Sequence, residues 1–403
     1  MKLLKVKTPD QVYEIINNLH PGGFKQAEQV KSIEALGRIL SDNVISTENV
    51  PGFSRSMVDG YAVLASDTFG CSEGIPAVLN VAGEVLMGEG ADCTVVSGTC
   101  VIVSTGGELP DGADSVVMVE NTEEYGGGMI GIQRPVAPGN NVLFKGDDVS
   151  VGDMVLNAGT KLTPHDIGIL SALGYYEVSV LAKPIVGVIS TGDELVDANQ
   201  APGSGQVRDI NTPMLIAAAT SFGACAINCG LIRDNEKAMR TAIRQAVKLC
   251  DIVLISGGSS AGVRDLTARV IESEGELLFH GIAIKPGKPT ILGVIDGKPV
   301  FGLPGHPVAA YLIAELFVHQ LIAKLMGADY KRHTTAARLS HAVSSNHGRA
   351  EYIAVRLDQK GTAYPIKSKS GLITSLAGVD GYICIPRDCE GLAEDAEVIV
   401  TYF

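Results

Sequence analysis

A multidomain α/β plus β architecture is predicted by three features of the chain. Residues 184–327 alternate strand and helix, residues 51–148 and 328–403 are short β-rich runs with glycine-bearing turns, and 403 residues exceed what one hydrophobic core usually serves. The expected organisation is a central three-layer α/β domain with a parallel-rich sheet (1–20 and 184–327), an elongated helical/β linker domain (21–50 and 149–183), an inserted small β domain (51–148) and a C-terminal β-barrel-like domain (328–403). Hydrophobic residues make up 46% and charged residues 19%, a globular mixture rather than a disordered one. A formal charge of -13, from 32 Lys+Arg against 45 Asp+Glu, argues against broad binding to a nucleic-acid backbone, so an anionic ligand has to be held locally. The 47 glycines, 18 prolines and absence of Trp favour tight turns and backbone amides over aromatic platforms.

Taken in order, residues 10–19 and 26–40 have helical spacing of apolar positions, separated by Pro21, Gly22 and Gly23. The runs AVLNVAG, CVIVSTG, SVVMVE and GMIGIQ then read as strands, with Gly126 to Gly128 a hairpin loop. A strand-turn-helix stretch, VGDMVLNAGTKLTPHDIGILSALG, leads back towards the first helical segment, which makes the β domain an insertion. From 184 onward PIVGVIS, NTPMLIAAATSFG, ACAINCGLI, NEKAMRTAIRQAVKLC, DIVLIS and DLTARVIESEG form βαβαβα, the pattern of a parallel sheet covered by helices. In the second of these helices Ala238, Met239, Ala242, Ile243, Ala246 and Val247 make one apolar stripe. The apolar segment Val308 to Met326 carries Glu315, His319, Gln320 and Lys324, so it is expected to be an amphipathic helix of a soluble protein and not a membrane span. EYIAVRL, GYICIP and AEVIVTYF are the strands expected at the end of the chain. The eight cysteines include no CxxC pair and are expected to be buried thiols, and the N-terminal residues lack a signal-peptide core, so a cytoplasmic protein is expected.

Open α/β sheets bind ligands beyond the carboxyl ends of their strands, which directs attention to the loops there. STGDEL presents Asp193 and Glu194, two acids able to hold a hard cation through oxygen, although a solvated turn explains this string alone. SGGSSAG, with Ser256, Gly257, Gly258 and Ser259, opens onto a helix and offers backbone amides to a phosphate, without a Walker or dinucleotide fingerprint. IKPGKP aims Lys285 and Lys288 around a Pro-Gly turn, as an oxyanion or phosphate requires, while a solvated hairpin tip is the ordinary explanation. LPGHP sets Pro304, Gly305, His306 and Pro307 at a helix entrance, with Pro307 suited to its first turn. No second His or Cys stands at ligand spacing from His306. Asp59 and Thr105 lie in polar loops of the inserted domain. The whole inventory, acids for a cation and lysines with amides for anions, fits phosphate chemistry with a divalent metal.

VPGFSRSMVDGYAV, IVSTGGELPDGADSVV, NVLFKGDDVSVGD, STGDEL, SGGSSAGVRDL, IKPGKP and GLPGHPVAA occur in the order seen in the molybdopterin molybdenumtransferase family, the MoeA proteins and the gephyrin E domain, and the chain resembles that family over its whole length. The resemblance implies insertion of molybdate into adenylylated molybdopterin with Mg2+-dependent release of AMP, by a homodimer of elongated four-domain subunits. It also implies roles by motif. Asp59 would reach in from the partner's β domain, with Thr105 and Asp148 near the same cleft. Glu194, Asp234 and Asp265 would be the acids, with Glu194 and Asp265 as metal ligands. Lys285 and Lys288 would hold the oxyanion, Pro304 and Pro307 would shape the floor, and Arg349 and Ser370 would add to the oxyanion site. Gly281 stands where some members have a further lysine, His306 replaces the asparagine of many GLPGNP loops, and Arg264 is placed to offset the lost charge. Other implied readings are a tungstate-inserting paralogue and a non-catalytic gephyrin-like scaffold. The molybdopterin adenylyltransferase, an expected partner, is itself a compact one-domain alternative that this chain exceeds in length.

Overall fold

The computed structural model describes residues 6–19, 26–257, 261–328, 330–367 and 369–403, apart from the side chains of 261–265. The chain divides into two units, Gln29–Ser179 and the combination of Met1–Glu28 with Val180–Phe403. The multidomain α/β plus β architecture is as the sequence indicates.

In the Gln29–Ser179 unit the strands Ser115–Met118, Gly60–Val63, Thr99–Val103, Ala77–Val85, Met129–Ile132 and Thr122–Gly126 form one sheet in that order. Successive side chains of a strand point to opposite faces, and here both faces are apolar: Val63, Cys100 and Val117 enter one cluster, and their neighbours Ala62, Val101 and Val116 enter another. The Gly126 to Gly128 hairpin holds three successive residues at positive φ, which explains the glycine triplet. Residues 26–40 are not the helix expected from their spacing. Ala27–Lys31 is extended and Ser32–Glu34 is a single 3-10 turn, because Ser32 donates its backbone N–H to Tyr176 O at 2.9 Å and leaves Ile33 and Leu36 exposed.

The second unit is built on a six-stranded sheet in the order Cys225–Ile232, Ile185–Thr191, Ile252–Gly257, Lys298–Leu303, Ile291–Ile295, Glu276–His280. The first four are parallel. Helices Glu236–Leu249 and Ala261–Glu274 cover one face, where Ile189, Val253, Ile255 and Val300 meet Met239, Ile243, Val270 and Ile271. The alternate residues Val188, Leu254 and Phe301 are buried on the other face, on the side of Asn211–Ser221 and Pro307–Met326. Pro307–Met326 is long and apolar enough to cross a membrane, yet 72% of its apolar window is buried inside the protein, as a core helix requires. All eight cysteines are free; Cys100 and Cys250 are buried, and burial pushes their thiols up to about 11 and about 12. Cys225 and Cys384 are exposed, which corrects the expectation that all are buried: Cys225 begins an edge strand with one open side.

The C-terminal strands close on themselves. Ala350–Leu357 pairs with Gly381–Ile385 along one edge and with Thr362–Ile366 along part of the other, and Thr334–Leu339 and Glu397–Tyr402 complete the ring around Leu339, Val355, Ile383 and Val400. Arg332 ties this barrel to the α/β layers: its guanidinium donates to Tyr13 Oη at 2.7 Å, Leu316 O at 3.0 Å and Tyr330 Oη at 3.1 Å, between the rings of both tyrosines. Arg332→Ala is expected to lower unfolding stability by about 2–4 kcal/mol, since three hydrogen bonds to a half-buried cation are lost together with its packing. Arg338→Ala, which removes an exposed 3.5 Å pair with Glu397, is expected to change it by less than about 1 kcal/mol. Denaturant midpoints of the two variants check the contrast.

Candidate active site

Chain direction fixes where the loops emerge. Ile291–Ile295 runs antiparallel to both neighbours, so Glu276–His280 points the same way as the four parallel strands. Loops 192–194, 233–235, 281–290 and 304–306, and the chain after Gly257, therefore leave from one edge of the sheet, as its strand-helix alternation predicts.

The acids stand at the end of this edge formed by Cys225–Ile232 and Ile185–Thr191. Thr191 Oγ1 donates to Asp234 Oδ1 at 2.8 Å, and the backbone N–H of Asp234 approaches Asp193 Oδ1 at 3.4 Å, so the two strand-end loops lock together. Glu194 is exposed, and its carboxylate folds over Gly192, where an added Cβ would lie 2.9 Å from Oε2. Gly258, Ser259, Arg264 and Asp265 lie outside the residues whose side chains are described. Among the described residues no three His, Cys, Asp or Glu side chains gather as an ion site. Asp234 and Glu194 each offer carboxylate oxygen, the donor type that Mg2+ takes, commonly from one or two carboxylates with water and substrate phosphate in the remaining positions.

At the centre of the edge, Gly257 has φ +147° and an added Cβ would sit 1.9 Å from Thr191 O, so only glycine allows the chain to turn here beside its neighbour. Ser256 is buried and accepts from Asn211 Nδ2 at 2.8 Å, while the second hydrogen of the same amide goes to Gly305 O at 2.8 Å. A carbonyl can only accept, so Gly305 fixes which way the Asn211 amide faces. Among the described residues its Oδ1 is a buried acceptor with no partner. Asp209 supports this arrangement: Oδ1 accepts the N–H groups of Asn211 and Thr212 at 3.1 Å each, and Oδ2 accepts Thr212 Oγ1 at 2.6 Å. Sequence reasoning missed Asn211 and Asp209. The available signal was the string DINTP, whose acid and hydroxyl before a proline mark a helix start.

The lysine loop occupies the other end. Lys285 and Lys288 are both exposed, but Lys285 Nζ lies 2.8 Å from Glu351 Oε1, a contact with the C-terminal barrel that the sequence did not reveal. Gly281 has φ +113°, a conformation that L side chains rarely adopt, which explains glycine there in this chain. Pro304 is buried and Pro307 opens the helix Pro307–Ile313. His306 does not cap that helix with its side chain; Nδ1 lies 2.8 Å from Ser370 Oγ, and Ser370 O accepts the Val308 N–H at 3.2 Å. Ser370 thus joins the PGHP loop, whereas Arg349 is exposed at the entrance to Ala350–Leu357.

Within the Gln29–Ser179 unit, Asp59 and Thr105 come together. Asp59 Oδ1 accepts from Thr105 N–H at 2.7 Å and from Thr105 Oγ1 at 3.0 Å. The pairing of Gly60–Val63 with Thr99–Val103 brings them together, and on its other side Gly60 packs so closely that an added Cβ would lie 1.9 Å from Val117 O. Asp148 is exposed at the end of a neighbouring loop, its N–H on Val50 O at 3.0 Å, and is not bonded to that pair.

Residues 7–174 match the MoeA N-terminal region (domain I and II), residues 187–324 a probable molybdopterin binding domain, and residues 336–403 the MoeA C-terminal region (domain IV). A molybdopterin molybdenumtransferase of Bacillus subtilis is 31% identical over 409 residues, covering 96% of this chain and 93% of its own. The chain belongs to the molybdopterin molybdenumtransferase family. A further member, from Haemophilus influenzae, is 38% identical over 302 residues, 75% of this chain and 74% of its own. A crystal structure of a molybdopterin biosynthesis MoeA protein from Pyrococcus horikoshii superposes with a TM-score of 0.88 at 40% identity, covering 99% of each chain. Gly257→Ala is expected to lose at least about 2 kcal/mol of stability, since its Cβ meets a backbone carbonyl. Gly74→Ala, with nothing within 4 Å, is expected to stay within about 0.5 kcal/mol of the parent in the same melts.

Proposed function

We propose that the chain is a transferase of molybdenum cofactor biosynthesis that inserts molybdate into adenylylated molybdopterin and releases AMP with Mg2+, acting as a homodimer in the cytoplasm. Its substrate would come from the molybdopterin adenylyltransferase step. Family membership supports the reaction class. The observation that carries the finer reading is the order of groups along one sheet edge: oxygen acids, then the glycine turn and helix entrance, then two ammonium groups. A molecule joining a phosphoanhydride to an oxyanion-accepting dithiolene needs that inventory.

In this reading Glu194 and Asp234, together with Asp265, hold Mg2+, which neutralises phosphate charge and polarises the bond to the leaving AMP. Thr191 orients one oxygen of Asp234, and among the described residues no hydrogen bond is made to the other. The amides following Ser256 hold phosphate oxygens. Lys285 and Lys288 bind molybdate as point charges, with Ser370 and Arg349 beside them. Asp59 and Thr105 serve the same reaction as a fixed acid-hydroxyl pair, and Asp148 adds a carboxylate in a loop of the same unit. Tungstate carries the same charge and shape, so lysines alone do not discriminate against it.

The test is AMP release from adenylylated molybdopterin by the purified protein and Mg2+, with molybdate, with tungstate and with neither. Oxyanion-dependent release supports the transferase; no release by folded protein supports a gephyrin-like scaffold instead. Lys285→Ala is expected to raise the half-saturating molybdate concentration about tenfold or more, because one charge-assisted contact is removed. Asp234→Asn is expected to lower the maximal rate about 10-fold to 100-fold with the fold retained, measured by the same release and by thermal melts.

A further inference from the structure

The short strand Ile284–Lys285 belongs by sequence to the α/β layers but pairs with the barrel. Ala350–Leu357 gives residues 354–357 of one edge to Thr362–Ile366 and residues 350–351 to Ile284–Lys285, in parallel register with Ile284 opposite Ala350 and Lys285 opposite Glu351. Ala350 N–H donates to Ala283 O at 3.0 Å and secures the register. That register brings the Lys285 ammonium 2.8 Å from Glu351 Oε1, and Ser345 Oγ donates to the other carboxylate oxygen at 2.6 Å. The two partners differ in exposure: the Lys285 side chain is 45% exposed and that of Glu351 7%.

This asymmetry distinguishes the contact from an ordinary surface ion pair. A lysine on the surface samples many rotamers and contributes little through a single pair. Here the carboxylate is buried, fixed on a strand, and has a donor on each oxygen, so it does not follow the lysine into solvent. It approaches the ammonium from the protein side and occupies one of three N–H donors, leaving two for a ligand on the solvent side. An incoming oxyanion therefore meets a cation already in place, without the entropy of ordering a four-carbon stem. We propose that Glu351, backed by Ser345, is a positioning residue that holds the Lys285 ammonium for the oxyanion. This rests on the role given to Lys285 under the proposed function.

The test compares Glu351→Ala, Glu351→Gln, Ser345→Ala and Lys285→Ala in molybdate-dependent AMP release and in direct equilibrium binding of molybdate to the folded protein. Glu351→Ala is expected to raise the half-saturating molybdate concentration about tenfold with the maximal rate within about twofold, the effect of losing one charge-assisted contact. Glu351→Gln keeps an acceptor at the same place and is expected to restore the requirement to within about threefold of the parent. Ser345→Ala frees the carboxylate to swing, is expected to fall between these, and carries the test if Glu351→Ala does not fold. A merely structural Glu351 would lower maximal rate and melting temperature without moving the molybdate requirement, and that result overturns the proposal. If Lys285→Ala itself leaves the requirement unchanged, the oxyanion role of the lysine loop fails. If it raises the requirement while Glu351→Ala and Ser345→Ala do not, the positioning role alone fails.

Discussion

Strand direction in the central sheet constrains everything that the second unit does. Four parallel strands and one antiparallel detour send five loops to the same edge, so acids, backbone amides and lysines from sequence positions 191 to 306 share one border. Parallel pairing is affordable because both faces are covered by helices, which bury the continuous apolar runs of Ile185–Thr191 and Ile252–Gly257. At the point of closest approach the sheet leaves no room for a side chain, and Gly257 lies against Thr191 O. A packing requirement and the start of the SGGSSAG loop are thus met by the same residue.

The barrel adds a second constraint at the far end of that edge. Its longest strand, Ala350–Leu357, pairs on one side through residues 351–355 with Gly381–Ile385 and shares its other side between Thr362–Ile366 and the lysine loop. Backbone hydrogen bonding, and not only a side-chain contact, therefore connects the cation loop to the barrel. Arg332 provides an independent link between the same layers through Tyr13 and Leu316. The His306 to Ser370 contact provides a third.

Local pattern made most of the elements legible. The stripe Met239, Ala242, Ile243, Ala246 and Val247 is buried as its spacing predicts, and the Gly126 to Gly128 turn lies where three glycines demand it. Residues 26–40 were misread because Ile33 and Leu36 have helical spacing yet stay exposed, and spacing alone does not report whether a face has a partner. The candidate loops were legible where they follow a strand, as STGDEL and IKPGKP do, and both leave from one sheet edge. It was not legible where a role depends on distant register. Nothing near Glu351 in the sequence announces Lys285, and Asn211 becomes a bridge only because Ser256 and Gly305 emerge beside it. Asp59 and Thr105 were singled out as separate loops, and their shared hydrogen bonds follow from the pairing of Gly60–Val63 with Thr99–Val103.

In the proposed function one sheet edge, ending in the lysine loop, receives the oxyanion. Anomalous diffraction at the molybdenum absorption edge from crystals of the protein soaked in molybdate addresses it directly. A peak within contact distance of the Lys285 and Lys288 ammonium groups is expected. A peak confined to other residues, with the lysine loop clear at saturating molybdate, would contradict it.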